Sequence, residues 1–184
     1  MLLTLTPRAR SMAEKGIFLT PTLSCYGIMV RKPWEDFLPP DGQVKNREVM
    51  KDGLNALKLA EEAGVIITYG SDLLSSMQCL QTEEFTVRAE VLSSPAILKH
   101  ATTNAAKLLN QVGVLGTIAP GAIADLIVLK KNPLEDVTIL DRPEDNLLAV
   151  LKEGRVEVSS LAALRTSEQE EREEQLALKA AAKN

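Results

Sequence analysis

A carboxylate stands directly beyond an apolar, β-branched run in the segment VIITYGSDLL, residues 65–74. The run has the near-continuous hydrophobic character of a strand buried on both faces. A carboxylate at the end of such a strand, Asp72, is not a core residue and is a candidate for chemistry. The ordinary alternative is a capping or loop aspartate. Other chemistry-bearing groups are few: one histidine, His100, and two cysteines, Cys25 and Cys79. Metal centres usually recruit several imidazoles, which a single histidine does not supply. Two cysteines fit free, partly buried thiols in a reducing compartment better than a disulfide scaffold. The opening MLLTLTPRAR has no basic stretch before its short apolar run, so no signal peptide is read and the expected compartment is the cytoplasm.

The elements that must position Asp72 follow from periodicity and turn residues. Thr6-Pro7 reads as a helix cap with proline at the first helical position, giving a short helix over 7–15 that stops at Gly16. GIFLTPTL (16–23) reads as a strand. Pro33, Pro39 and Pro40, with Asp41-Gly42, mark a loop, and a helix is expected over 43–63. The strand ending at Asp72 completes an order of helix, strand, helix, strand, the pattern of a parallel βαβ layer. Two more helices are expected, 82–92 capped by Thr82 and 94–110 capped by Ser94.

The character then changes. Pro120-Gly121 suits a type II turn, 124–130 reads as a strand, and 147–158 reads as a hairpin turning at Glu153-Gly154. The expected organisation is therefore a βα portion over 1–112, short strands over 113–158, and a charged helical or disordered tail over 159–184. A net charge of −4 and 3% aromatic residues argue against a nucleic-acid surface or an anionic membrane as partner.

GSDLL at a strand end, then ILKHATTNAAKLL, then GTIAPGAIADLIVLKKNPLEDVTIL resemble the C-terminal part of the amidohydrolase superfamily, in particular its imidazolonepropionase- and prolidase-like metallohydrolases. The most specific stretch is G-x-I-x-P-G-x-x-A-D-L-I-V-L (116–129), followed by N-P-L. The resemblance implies an α/β fold: the last two strands and helices of a (β/α)8 TIM barrel, with part of a small β-sandwich after residue 113. It makes GIFLTPTL the seventh barrel strand and VIITYGSD the eighth. Barrel active sites sit at the C-terminal ends of strands, where Asp72 falls. By resemblance Asp72 is both a ligand of a catalytic metal, zinc or another divalent ion, and the group that moves the proton from metal-bound water to the leaving nitrogen. The implied activity is hydrolysis of carbon–nitrogen bonds in a small amide or dipeptide-like substrate.

The family's other ligands are missing. No His-x-His pair occurs, and His100 lies where relatives carry an ordinary helix residue, so it is read as structural. Gln78 stands roughly where many relatives have a histidine. A whole barrel needs about 250 residues. The chain is therefore expected to be a C-terminal portion: a truncated reading of a gene, a split-gene half or a decayed enzyme. It is expected to be inactive by itself, to hold no stoichiometric zinc, and to pair with an N-terminal half or self-associate through its open sheet edge. The alternative to a hydrolase is a non-catalytic remnant that packs against a partner chain.

Overall fold

The computed structural model describes residues 2–164. The charged tail expected beyond them lies outside the described residues. Helix α1 (Leu2–Glu14) leads to strand β1 (Phe18–Leu19), the short helix α2 (Leu23–Ile28) and the long helix α3 (Pro40–Glu62). Strand β2 (Ile66–Ile67) follows, and the chain then runs through a 3-10 segment, Ser75–Leu80, into α4 (Glu83–Ala89), α5 (Ser94–Ala101) and α6 (Thr103–Leu108). The last portion holds β3 (Leu126–Leu129), the short helix α7 (Pro143–Asn146), β4 (Leu147–Lys152) and β5 (Arg155–Ser159).

Strands β1 and β2 are parallel, with Phe18 opposite Ile66 and Leu19 opposite Ile67. One further bond, Thr68 N to Leu19 O at 2.9 Å, extends the pairing past β2. The ladder is shorter than the strands expected over 16–23 and 65–70. On the β1 side, Pro21 has no N–H to continue it. The layer is held by a core of Ala9, Leu23, Leu57, Ala60, Val65 and Ile67, drawn from α1, α2, α3, β2 and the residue just before β2. Residues 124–130 and 147–158 form the expected antiparallel set, in the order β3-β4-β5. The hairpin turns at Glu153-Gly154, both with positive φ, the backbone of a tight primed turn. The Pro120-Gly121 turn is present too, with Gly121 at φ +88 and Ala122 N donating to Ala119 O.

Four local expectations are corrected. Thr6-Pro7 does not start α1, because the helix begins at Leu2 and Pro7 lies inside it. Pro40 and Asp41-Gly42 do not belong to the loop but open α3. Pro40 occupies the first helical position, where its missing N–H costs nothing, and Asp41 adds negative charge to the first turn of α3. Thr82 precedes α4 without a side-chain cap bond. Ser94 is the first residue of α5 and not its cap; its Oγ accepts from Val137 N at 3.0 Å, tying the helix to the later chain.

The expected single helix over 94–110 is also broken, at Thr102 (φ −122, ψ −91). Gly116 packs against this break. It has φ +70, and a Cβ there would stand 2.5 Å from the Thr102 carbonyl oxygen. Gly116→Ala is expected to lower stability by at least about 2 kcal/mol, combining left-handed backbone strain with overpacking. Gly121→Ala, at φ +88 but facing open space, should lose only about 1 kcal/mol. Urea midpoints of the two variants compare them, and equal losses would refute the close-approach account.

Candidate active site

Asp72 lies five residues beyond the end of β2, solvent-exposed, with φ +53. Aspartate and asparagine enter this left-handed region more readily than most residues, though still at a conformational cost. The loop after Asp72 packs against the chain leaving β1. Leu73 and Met77 are buried with Cys25 and Ile28, and Trp34 lies against them. Trp34 Nε1 donates to Ser76 Oγ at 3.1 Å. The segments that follow the two strands therefore form one cluster beside Asp72. Cys25 belongs to it, and its thiol is pushed up, first by burial and also by the negative charges of Asp72 and Glu84. Cys25 and Cys79 are free, Cys25 buried and Cys79 exposed. Gln78 is exposed in the 3-10 segment.

A charged network lies beneath these loops. Arg88 and Glu84 have no exposed surface. Arg88 Nε donates to Glu84 Oε1 at 2.7 Å, Nη1 donates to Thr68 O at 3.0 Å, and Nη2 donates to Pro21 O at 2.6 Å. The other oxygen of Glu84 accepts from Ser24 N at 2.7 Å. The guanidinium also lies over the Tyr69 ring, 5.1 Å from its centroid. Tyr69 is buried enough that its hydroxyl is pushed well up, with the charge of Glu84 adding to the effect.

His100 is buried at the edge of this network, a satisfied structural histidine as its helical position suggested. Its Nδ1 faces Arg88 Nη1 at 3.3 Å and its Nε2 faces Glu61 Oε2 at 3.0 Å. Arg88 can only donate, so Nδ1 must accept, and the proton of the neutral ring sits on Nε2, pointing at Glu61. Burial holds the His100 pKa below its ordinary value; Glu61 opposes this and Arg88 reinforces it. The folded state therefore binds the proton less readily than the unfolded chain does. The stability this contributes is complete above the unfolded value of about 6.5 and is lost as pH falls through the lower folded value. Wild type should lose urea resistance across that window more steeply than His100→Gln. Parallel pH profiles would show this ring is not the source.

The Glu84–Arg88 pair was not legible in the sequence. A glutamate and an arginine four apart on a helix read as a solvated surface pair. Glu84 lies in the acidic first turn of α4, a position that is ordinarily solvated.

Among the described residues no group of three or more His, Cys, Asp or Glu side chains could hold a metal ion. One exposed carboxylate and one imidazole already engaged by Arg88 and Glu61 do not fit a metal centre. Nor is any helix among them long and apolar enough to cross a membrane.

Two parallel strands joined through helices, a carboxylate beyond their carboxyl ends and a separate antiparallel sheet define a mixed α/β protein. The amidohydrolase family model matches residues 3–156. Ochratoxinase of Aspergillus niger is 30% identical over 134 residues, covering 72% of this chain and 28% of the enzyme. A prolidase crystallised with N-methylphosphonate-L-proline matches with a TM-score of 0.76 and 41% identity, over 84% of this chain and 38% of that one. An amidohydrolase crystal structure matches with a TM-score of 0.77 and 37% identity, over 83% of this chain and 37% of that one. The chain belongs to the amidohydrolase family. It spans between about a quarter and two-fifths of the length of these relatives.

Proposed function

We propose that the chain supplies the closing strands of an amidohydrolase barrel, β1 as the seventh and β2 as the eighth, with residues 113–158 as its share of a small β-sandwich. In the completed barrel Asp72 is the catalytic carboxylate of a hydrolase that cleaves carbon–nitrogen bonds in amides or dipeptide-like molecules. The observation that carries this reading is the position of Asp72 just past the carboxyl ends of two parallel strands, where barrel enzymes keep their chemistry. Asp72 accepts a proton as water adds to the amide carbonyl. It then gives the proton to the nitrogen as the carbon–nitrogen bond breaks, leaving a carboxyl and an amine. The names of the relatives, a prolidase and an ochratoxinase, favour small substrates with an amide bond.

A second reading is a non-catalytic chain that packs against a partner. It is favoured by the outer edges of the β1–β2 pair, which among the described residues pairs with no third strand, and by the lack of a metal-holding cluster among those residues. The chain by itself should keep less than one equivalent of zinc through dialysis. Stoichiometric zinc by elemental analysis would mean that ligands have been misassigned.

The deciding experiment mixes this chain with a polypeptide carrying the first six strands of a related barrel. The mixture is assayed on N-acyl amino acids and dipeptides with added divalent metal. Turnover in the mixture, absent from either piece, supports the hydrolase. A stable complex that turns nothing over supports the second reading.

A further inference from the structure

Arg88 takes part in no step above, yet it is the largest fully buried side chain among the described residues. Its donors reach three elements at once: the carbonyl of Pro21 just after β1, the carbonyl of Thr68 directly after β2, and Glu84 on its own helix. Glu84 in turn holds Ser24 N at the start of α2. One planar group thus ties the carboxyl ends of both strands. A fork of this shape is specific to arginine, because an ammonium is a point charge that does not present donors in a fixed plane. Buried ion pairs replaced by apolar groups often leave stability unchanged or raised, so holding the fold is a weak reason for such a pair. What the two clamped strand ends share is what leaves them. Four residues past Pro21 stands Cys25, and four past Thr68 stands Asp72. The two segments that follow the strands, α2 and the stretch through Leu73 and Met77, meet in one cluster.

We propose that Arg88 is a positioning residue, whose guanidinium, held by Glu84, sets the separation of the two strand ends and so places Asp72 against α2, the helix that carries Cys25. Its importance for catalysis rests on the reading of Asp72 given above, but its test does not. The Asp72 charge acts on the Cys25 thiol, so that thiol reports where Asp72 stands.

The experiment uses the full chain with Cys79→Ser, leaving Cys25 as the one thiol. Its titration is followed by thiolate ultraviolet absorbance, with and without Asp72→Asn. This is done once with the clamp intact and once in Arg88→Met/Glu84→Gln, which removes the clamp without stranding a buried charge and keeps an acceptor for Ser24 N. With the clamp intact, Asp72→Asn should shift the thiol titration downward. Without it the shift should vanish while the cooperative melt remains. An equal shift in both backgrounds, no shift in either, or a clamp-free chain that no longer melts cooperatively would overturn the assignment, the last by making the pair a folding element. If the cycle behaves as expected but the completed barrel tolerates Asp72→Asn, the catalytic reading fails and the positioning role stands.

Discussion

Asp72→Asn is expected to lower turnover of the completed barrel by about 10²–10⁴-fold, the usual contribution of a positioned acid–base group. An amide neither takes the proton of the attacking water nor returns one to the leaving nitrogen. The fold should survive, because Asp72 is exposed and asparagine accepts the left-handed backbone at φ +53 as readily as aspartate does. The stability change should stay within about 0.5 kcal/mol. Asp72→Gly sharpens the point. Glycine relieves the backbone cost of a positive φ, so this variant should melt no lower than wild type and be equally inactive. Turnover near wild type in either variant, measured on the reconstituted mixture, would remove the chemistry from the end of β2.

Arg88→Met is expected to be the most damaging substitution to the chain's own stability. It leaves the Glu84 carboxylate fully buried without its partner, and breaking such a pair costs about 3–5 kcal/mol. That approaches the whole stability of a small domain, about 5–15 kcal/mol. The carbonyls of Pro21 and Thr68 also lose their donor. Neutralising the stranded charge should recover much of the loss, so Arg88→Met/Glu84→Gln should be more stable than Arg88→Met. The remaining deficit should be about 1–3 kcal/mol, from groups left without partners. Guanidinium denaturation of the two variants and wild type measures this. A double variant weaker than the single one would show that Glu84 does not need Arg88 for compensation.

The local chemistry of the chain was readable in order. The apolar run before Asp72, the Pro120-Gly121 turn and the Glu153-Gly154 hairpin each depend on a few adjacent residues, and each appears where it was expected. The position of Asp72 beyond a strand parallel to its predecessor was legible for the same reason. Features with one local and one distant cause were read halfway. Ser94 was recognised near a helix start, but its hydroxyl is claimed by Val137, 43 residues on. The helix over 94–110 has continuous apolar spacing, and its break at Thr102 accompanies the close approach of Gly116.

What the sequence alone determined, then, is the succession of strands, helices and turns, the family resemblance, and one carboxylate placed at a strand end. Only the tertiary structure decided which charged groups lose water. Glu84 and Arg88 are spaced like an exposed pair, and they are buried because Pro21, Ser24 and Thr68 close over them from two other segments. His100 is a neutral ring with a fixed tautomer because Arg88 meets one nitrogen and Glu61, 39 residues earlier, meets the other. Desolvation depends on every atom that excludes water from a group, and those atoms come from parts of the chain that no local pattern brings together.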